Sequence, residues 1–178
     1  MKGIVFREFL NMTEERFGDE VADIIITNAN LPNQGAYTSV GTYNHEELVR
    51  LLLQLSKQTS ISHDVLLKEF GQYVFQVFLK RYQNMFSEVK DGFSFLSLIE
   101  NTIHTEVLKL YPEAELPTID VSHDSQVLKL RYSSKRKLSD FAEGLILGCL
   151  SHFKEDVRIT KEMMKDDGSE VLFTLTKN

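Results

Sequence analysis

The sequence predicts an α+β fold, in which a helical N-terminal part packs on a four-stranded antiparallel sheet with one long C-terminal helix. Apolar residues recur at helical spacing over roughly the first two thirds of the chain. Short stretches of alternating apolar and polar residues follow, which are typical of strands, and one helical stretch interrupts them. With 178 residues, 42% of them hydrophobic, the chain fits a single domain with a full core. We divide this domain into a helical part over about 1–60 and a second part over about 61–178.

The first half of the chain contains two helical stretches, a break and two longer helices. Residues 2–17 and 19–29 place apolar side chains at near-helical spacing. The stretch 31–35 interrupts them, because proline lacks a donor and glycine tolerates unusual backbone angles. Asn44 and Ser62 are predicted to cap the two helices that follow, since short polar side chains accept hydrogen bonds from the first helical N–H groups.

A break separates the aromatic-rich fourth helix from the next one. The stretch 70–82 carries five aromatic side chains at positions of the predicted helix. Asp91 and Gly92 then break the chain, and a helix is predicted from about 93 to 110. Residues 111–117, with two prolines, indicate a turn and an extended link.

The last third of the chain predicts four strands and one helix. A polar turn over 122–125 separates the first two strands. Asp167 followed by Gly168 is a strong signal for the turn of a hairpin. The predicted strands cover 118–121, 126–132, about 156–163 and about 170–176, and the helix covers 137–153.

Charge and cysteine content exclude several classes of function. Lys and Arg number 20 and Asp and Glu number 26, and the formal net charge of -6 disfavours contact with nucleic-acid phosphates or anionic membranes. No apolar run approaches the roughly 20 residues of a membrane span. The one cysteine, Cys149, can form neither an internal disulfide nor a multi-cysteine metal site. We therefore expect a soluble, cytoplasmic protein that binds neither nucleic acid nor membrane.

His104 is the candidate metal ligand. The other four histidines lie in hydrophilic or helix-end settings, whereas His104 shares its predicted helix with Ile99, Ile103 and Val107. No His, Cys or Asp stands around it at the spacing of a zinc site, and Glu100, four residues earlier, does not form a second ligand pair with it. From this pattern alone, His104 is either an axial ligand or a partly buried structural histidine.

Tyr132, Ser134 and Arg136 form a second candidate group. If Tyr132 ends a strand, the three side chains project to one side with period two. Two hydroxyl groups and one guanidinium suit a carboxylate, since arginine can bind it bidentately. The alternative is a polar strand end that leads into a basic helix start.

Apolar side chains supply the third element. Each is by itself a core residue, but together they can line a slot. A haem, which is a flat apolar disc with two carboxylates and one open iron position, needs such a slot, an axial ligand and a carboxylate anchor. The set consists of Val5, Phe9, Val74, Phe78, Phe141 and Leu145.

Four motifs together resemble the haem–nitric oxide/oxygen-binding (H-NOX) family, which is related to the haem domain of soluble guanylate cyclase. They occur in order across essentially the whole chain, and stand-alone bacterial members have about this length. The resemblance implies a haem b with ferrous iron that lies between the helical part and the sheet. The residues that hold it then belong to the part over about 61–178. The motifs are Met1-Lys2-Gly3-Ile4-Val5, Ile103-His104-Thr105-Glu106-Val107, Pro117 and Tyr132-x-Ser134-x-Arg136.

The resemblance implies a role for each candidate residue. His104 is then the proximal ligand of the haem iron. Tyr132, Ser134 and Arg136 hold the haem propionates. Pro117 presses on the porphyrin and helps to bend it. The six apolar residues of the slot line the distal pocket.

One departure from the family pattern concerns gas selectivity. Oxygen-binding members carry a distal tyrosine where this chain has Phe141, and Phe9 and Val74 stand at the supporting positions. An apolar pocket donates no hydrogen bond to bound dioxygen. We therefore expect binding of nitric oxide and CO and no stable oxygen complex.

A structural zinc site, which some relatives carry in the C-terminal part, is not expected here. Zinc in proteins is bound by cysteine, histidine and carboxylate side chains. The corresponding positions hold Ser139, Lys161, Met164 and Leu172.

The resemblance implies a sensor rather than an enzyme. Nitric oxide binds the ferrous haem and weakens the iron–His104 bond, and a conformational change signals to a separate partner, a histidine kinase or a diguanylate cyclase. The alternatives are a haem enzyme acting on nitric oxide or peroxide, a haem carrier, and a haem-free interaction domain in which His104 is only packed. Catalysis needs distal acid–base groups, which the apolar set does not supply.

Overall fold

The structure, a computed structural model, describes residues 1–82 and 89–178. These residues group into two compact units, Met1–Phe70 and Gly71–Asn178. The described residues form seven α-helices, one π-helical segment and four strands. The predicted α+β fold with a four-stranded antiparallel sheet is confirmed. None of the helices in the described ranges is long and apolar enough to cross a membrane.

The first unit is helical. Its elements are α1 (Gly3–Phe17), α2 (Asp19–Asn28), α3 (His45–Thr59) and the beginning of α4 (His63–Arg81). Asn44 caps α3 as predicted, because its side chain accepts a hydrogen bond from the N–H group two residues later at 3.1 Å. The apolar face of α3 recurs at helical spacing and is buried; it consists of Leu48, Leu51, Leu52 and Leu55.

The second unit combines the sheet with the remaining helices. Its elements are α5 (Gly92–Ser97), a π-helical segment (Ile99–Ile103), α6 (His104–Leu110), β1 (Thr118–His123), β2 (Val127–Ser133), α7 (Ser139–Phe153), β3 (Val157–Met163) and β4 (Glu170–Lys177). The strand order is β1-β2-β4-β3, and every neighbouring pair is antiparallel. β1 and β2 form a hairpin before α7, and β3 and β4 form a second hairpin after it, because a short connection joins the two strands of each pair.

The core of the second unit lies against one face of this sheet. Alternate residues of the two central strands point into it, among them Leu128 and Leu130 on β2 and Val171 and Phe173 on β4. Apolar side chains of α5 and α7 pack against them. Burial of each such side chain contributes about 1.5–3 kcal/mol to folding, so this face fixes the register of the strands.

The expectation of one continuous helix over 93–110 is wrong. α5 ends at Ser97, and the chain continues as the π-helical segment before α6 begins. The N–H groups of Ile103 and His104 donate to the carbonyl oxygens of Leu98 and Ile99, five residues earlier. Apolar spacing cannot reveal the extra residue, because a single wider turn leaves the same side chains near the core.

The turns of the sheet agree with the prediction in type and differ slightly in position. β1 extends to His123, and the Asp124 carboxylate closes the turn by accepting hydrogen bonds from the N–H groups of Gln126 and Val127. The hairpin between β3 and β4 turns at Gly168, whose φ of +76° lies in the region that favours glycine.

A lysine between two carboxylates connects β3 to α7. Lys161 Nζ lies 2.6 Å from Asp140 Oδ1 and 3.3 Å from Glu143 Oε2, and all three side chains are mostly buried. Ser139, beside Asp140, is buried as well. Across the described ranges, no three His, Cys, Asp or Glu side chains gather where they could hold a metal ion. Lys161, one of the positions compared with a zinc site, thus joins β3 to α7 through ion pairs.

Substitution Lys161→Met tests this network. The change keeps the length of the side chain and removes the positive charge shared by two carboxylates, so we expect a loss of about 1.5–3 kcal/mol of folding free energy. Urea unfolding of the full chain measures it. Lys165→Met is the matched control, because the Lys165 side chain is largely exposed beside Glu170, and it should change stability by less than about 0.5 kcal/mol. Equal losses in both variants would contradict the role of Lys161.

Candidate functional site

His104 is the first residue of α6 and follows the π-helical segment directly. Its side chain is 15% exposed. Burial lowers the pKa of His104 below its ordinary value, and the Glu100 carboxylate offsets part of that shift. Burial thus favours the uncharged imidazole, in which one of the two ring nitrogens carries a lone pair that can bind a metal.

Glu100 contacts both His104 and the sheet. Its Oε2 atom lies 3.1 Å from His104 Nδ1 and accepts a hydrogen bond from the Ile119 N–H at 2.9 Å. From the sequence, Glu100 is weighed only as a second metal ligand, so this partnership was missed. The spacing of four residues on one predicted helix was the signal that could have found it, since such residues are neighbours on a helix surface.

Tyr132 lies opposite Ile119 in the register of β1 and β2. Its ring is buried, and its hydroxyl accepts a hydrogen bond from the Leu138 N–H at 3.0 Å. Burial raises the pKa of Tyr132, while hydrogen bonds from Ser134 and Leu138 and the charge of Arg136 act in the opposite direction. The strand pairing therefore places the Tyr132 group beside the strand residue that holds Glu100.

The expectation that Tyr132, Ser134 and Arg136 project from one strand with period two is wrong. β2 ends at Ser133. The chain then turns, because the Lys137 N–H donates to the Ser134 carbonyl oxygen and the Arg136 N–H donates to Ser134 Oγ at 3.2 Å. A tight turn, rather than strand alternation, brings the three side chains together.

This turn also explains why the helix predicted from residue 137 starts later. Lys137 has a φ of +56°, a left-handed conformation that a helix does not accommodate. α7 accordingly begins at Ser139.

Arg136 binds a carboxylate of the chain itself. Its guanidinium donates to the Glu115 main-chain oxygen at 2.7 Å and to Glu115 Oε2 at 2.8 Å. The Arg136 side chain is 17% exposed and the Glu115 side chain is 85% exposed. The guanidinium is thus held in place with a carboxylate partner that faces solvent. Glu115 was not identified from the sequence, where it is one of several acidic residues in a link.

One short segment connects the two groups of polar side chains. Glu115 holds Arg136, and Ile119, four residues later, holds Glu100 and through it His104. Four extended residues span at most about 14 Å. Pro117 lies between the two attachment points. The structure therefore brings His104, Pro117, Tyr132, Ser134 and Arg136 to one region of the second unit.

Four of the six apolar candidates lie on two helices that approach closely. A Cβ at Gly71 of α4 would meet the Phe141 carbonyl oxygen at 2.3 Å and the Leu145 backbone nitrogen at 2.7 Å. Glycine is required there because the two backbones touch. Val74 and Phe78 follow on α4, one and two turns beyond Gly71. These four side chains thus belong to one helix pair.

The other two candidates, Val5 and Phe9, lie on α1 in the first unit. Phe9 is fully buried and packs edge-to-face against Phe70, with ring centroids 5.2 Å apart. Their contribution to a pocket with the other four remains a prediction.

A family model described as Haem-NO-binding matches residues 2–161. Among curated protein sequences, no significant match is found.

Solved structures match over the full length of the chain. An unliganded Fe(II) H-NOX protein from K. algicida is 42% identical with a TM-score of 0.94, covering 100% of this chain and 97% of that chain. An H-NOX protein from S. oneidensis in the Fe(II)NO ligation state is 27% identical with a TM-score of 0.91, covering 100% and 99%. The H-NOX from Shewanella woodyi, bound to IWP-051 in the Fe(II)CO ligation state, is 38% identical with a TM-score of 0.85, covering 100% and 95%.

The resemblance seen in the sequence motifs is therefore confirmed by the family model and by the fold. The match to the family model spans nearly all of the chain, including His104 and the Tyr132-x-Ser134-x-Arg136 motif. The chain belongs to the Haem-NO-binding, or H-NOX, family.

Proposed function

We propose that the chain is a haem-based nitric oxide sensor that signals to a separate partner enzyme. The observation that carries this proposal is the largely buried His104 imidazole, whose Nδ1 atom lies 3.1 Å from Glu100 Oε2 beside the Tyr132 group. Histidines that bind a metal almost always donate their other ring N–H to a carboxylate, a carbonyl or water. Family membership supports the same conclusion.

The side chains present fit a haem. A neutral imidazole nitrogen is a ligand for haem iron, and the guanidinium of Arg136 already binds a carboxylate of the kind that haem carries. His104 would hold the iron, and Tyr132, Ser134 and Arg136 would hold the propionates. Pro117 would contact the ring. The haem-holding part then covers about 61–178 of a single domain.

Ferrous haem b would supply the iron position at which nitric oxide or CO binds. Two structural relatives were solved in the Fe(II)NO and Fe(II)CO ligation states. In this chain His104 would hold the iron, and binding of nitric oxide would weaken that bond. Because His104 is the first residue of α6, its release would free the start of that helix and change the surface shown to a partner.

The selectivity of the sensor follows from its distal side chains. Phe141, Val74 and Phe9 carry no hydrogen-bond donor. A hydrogen bond to a charged group contributes about 1.5–3 kcal/mol, which corresponds to about ten- to a hundredfold in affinity. Dioxygen bound to iron carries partial negative charge and lacks this contribution here. Nitric oxide and CO therefore bind, and no stable oxygen complex forms.

The same apolar side chains argue for sensing rather than catalysis. Peroxide or nitric oxide turnover requires a side chain that transfers protons at the distal face, and none of the proposed lining residues does so. We propose a histidine kinase or a diguanylate cyclase as the partner and the cytoplasm as the compartment, on the strength of the family resemblance.

Visible absorption spectra of the purified, reduced chain test the proposal directly. We expect a haem spectrum that shifts on addition of nitric oxide to that of five-coordinate iron and shows no stable oxygen form in air. A chain that takes up no haem after reconstitution is a haem-free interaction domain. Steady consumption of nitric oxide or peroxide would instead identify an enzyme, and rapid transfer of haem to an acceptor would identify a carrier.

Substitution Phe141→Tyr tests the account of selectivity. The new hydroxyl can donate to bound dioxygen, so we expect oxygen affinity to rise by about ten- to a hundredfold, measured by oxygen titration of the ferrous protein. Phe153→Tyr is the matched control, because Phe153 ends the same helix and packs in the core of the second unit. If oxygen affinity does not rise in Phe141→Tyr, the distal pocket is not the cause of selectivity.

Substitution His104→Gly, supplied with free imidazole, tests whether the bond between His104 and iron holds α6 in place. The imidazole replaces the ligand but leaves α6 unattached, so α6 and β1 should already exchange amide hydrogens at the rate that nitric oxide induces in the parent chain. Hydrogen–deuterium exchange measures this with and without nitric oxide. His63→Gly, at an exposed position, should behave like the parent. A His104→Gly protein that still responds fully to nitric oxide would rule out the His104 mechanism.

A further inference from the structure

A single carboxylate oxygen of Glu100 contacts both a histidine ring nitrogen and a backbone N–H group. Oε2 lies 3.1 Å from the Nδ1 atom of His104, and the Ile119 N–H donates to the same oxygen at 2.9 Å. One partner belongs to α6 and the other to β1. The Ile119 residue is itself buried in the core and paired with Tyr132.

These contacts determine which ring nitrogen of His104 carries the proton. The oxygen already acts as an acceptor for Ile119, and a carboxylate offers acceptors only. His104 Nδ1 must then be the donor. An uncharged imidazole with its proton on Nδ1 has its lone pair on Nε2. Glu100 thus selects the tautomer in which Nε2 can bind a metal.

The backbone around Glu100 makes this contact unusual. Glu100 lies in the π-helical segment, and the His104 N–H donates to the Ile99 carbonyl oxygen rather than to Glu100. A π-helical turn within a helix frequently marks a functional site. The wider turn leaves the Glu100 side chain facing both the imidazole and the first residues of β1.

We propose that Glu100 is a positioning residue, which holds His104 as the Nδ1–H tautomer, strengthens its bond to iron and ties it to β1 through the Ile119 N–H. This inference rests on the haem function proposed above. A carboxylate that accepts from the far nitrogen of a ligand imidazole raises the basicity of the ligating nitrogen. Glu100 therefore raises the ligand strength needed to displace His104.

The connection to β1 gives the release of His104 a second consequence. With His104 in the position that the structure shows, Glu100 lies between two donors, one on α6 and one on β1. If His104 moved away, Glu100 would keep only the Ile119 contact, and the link between α6 and the sheet would be lost. One side chain would thus connect the position of His104 to the edge strand of the sheet.

The test compares three full-length, haem-loaded variants with the parent chain. Glu100→Gln keeps the size of the side chain and removes the charge, Glu100→Leu removes both acceptors, and Glu106→Gln is the control. Glu106 lies on α6 and pairs with Lys109 at the surface, so its substitution should change nothing at His104.

Two readouts report on His104 directly. Resonance Raman spectra of the ferrous protein give the iron–histidine stretching frequency, which we expect to shift down in Glu100→Gln and further in Glu100→Leu. Proton NMR of the CO-loaded ferrous protein follows the Nδ1–H proton, whose protection from exchange should be reduced in Glu100→Gln and lost in Glu100→Leu. Thermal unfolding in parallel separates these effects from a loss of stability, because a purely structural role would lower the melting temperature and leave the frequency unchanged.

The outcomes distinguish this inference from the function on which it rests. Failure of the parent chain to bind haem through His104 refutes the proposed function. A parent chain that binds haem, with Glu100 variants that keep the parental stretching frequency and Nδ1–H protection, refutes the role of Glu100 alone. A downward shift in both Glu100 variants and none in Glu106→Gln supports it.

Discussion

Two hydrogen bonds that meet on Glu100 Oε2 set the geometry of the candidate site. They fix the imidazole of His104 against the beginning of β1, and β1 in turn positions Tyr132 through the strand register. Loss of a buried or half-buried acceptor of this kind leaves its donors unpaired, which is costlier than the net gain from one hydrogen bond. The orientation of the His104 imidazole and the position of the beginning of β1 therefore depend on the same side chain.

Much of the fold was predictable because it follows from local rules. Helical spacing located α1 to α4, Asn44 indicated the start of α3, and Asp167 with Gly168 located the last hairpin. The elements that differed were those in which a backbone hydrogen-bond pattern, rather than side-chain spacing, decides the structure. The π-helical segment and the turn after β2 both belong to this class.

The candidate site was predictable in its residue types and not in its contacts. His104 stood out because the other four histidines lie in hydrophilic or helix-end settings, and the Tyr132-x-Ser134-x-Arg136 motif stood out because of its donors. Glu100 and Glu115 did not stand out, since acidic residues are common and usually solvated. The contact of Glu100 with His104 could have been found from their spacing of four residues. The contacts of Glu100 with Ile119 and of Glu115 with Arg136 join residues 19 and 21 apart, and spacing within one element carries no information about such pairs.

The pairing of Arg136 with Glu115 has a consequence for the order of events in making the protein. A half-buried guanidinium without a partner would oppose folding, so a site designed only around a bound dianion would depend on that dianion to fold. Here the chain supplies a carboxylate of its own, on a Glu115 side chain that is 85% exposed. The second unit can therefore fold with the Arg136 guanidinium already paired, before any carboxylate from outside the chain is bound.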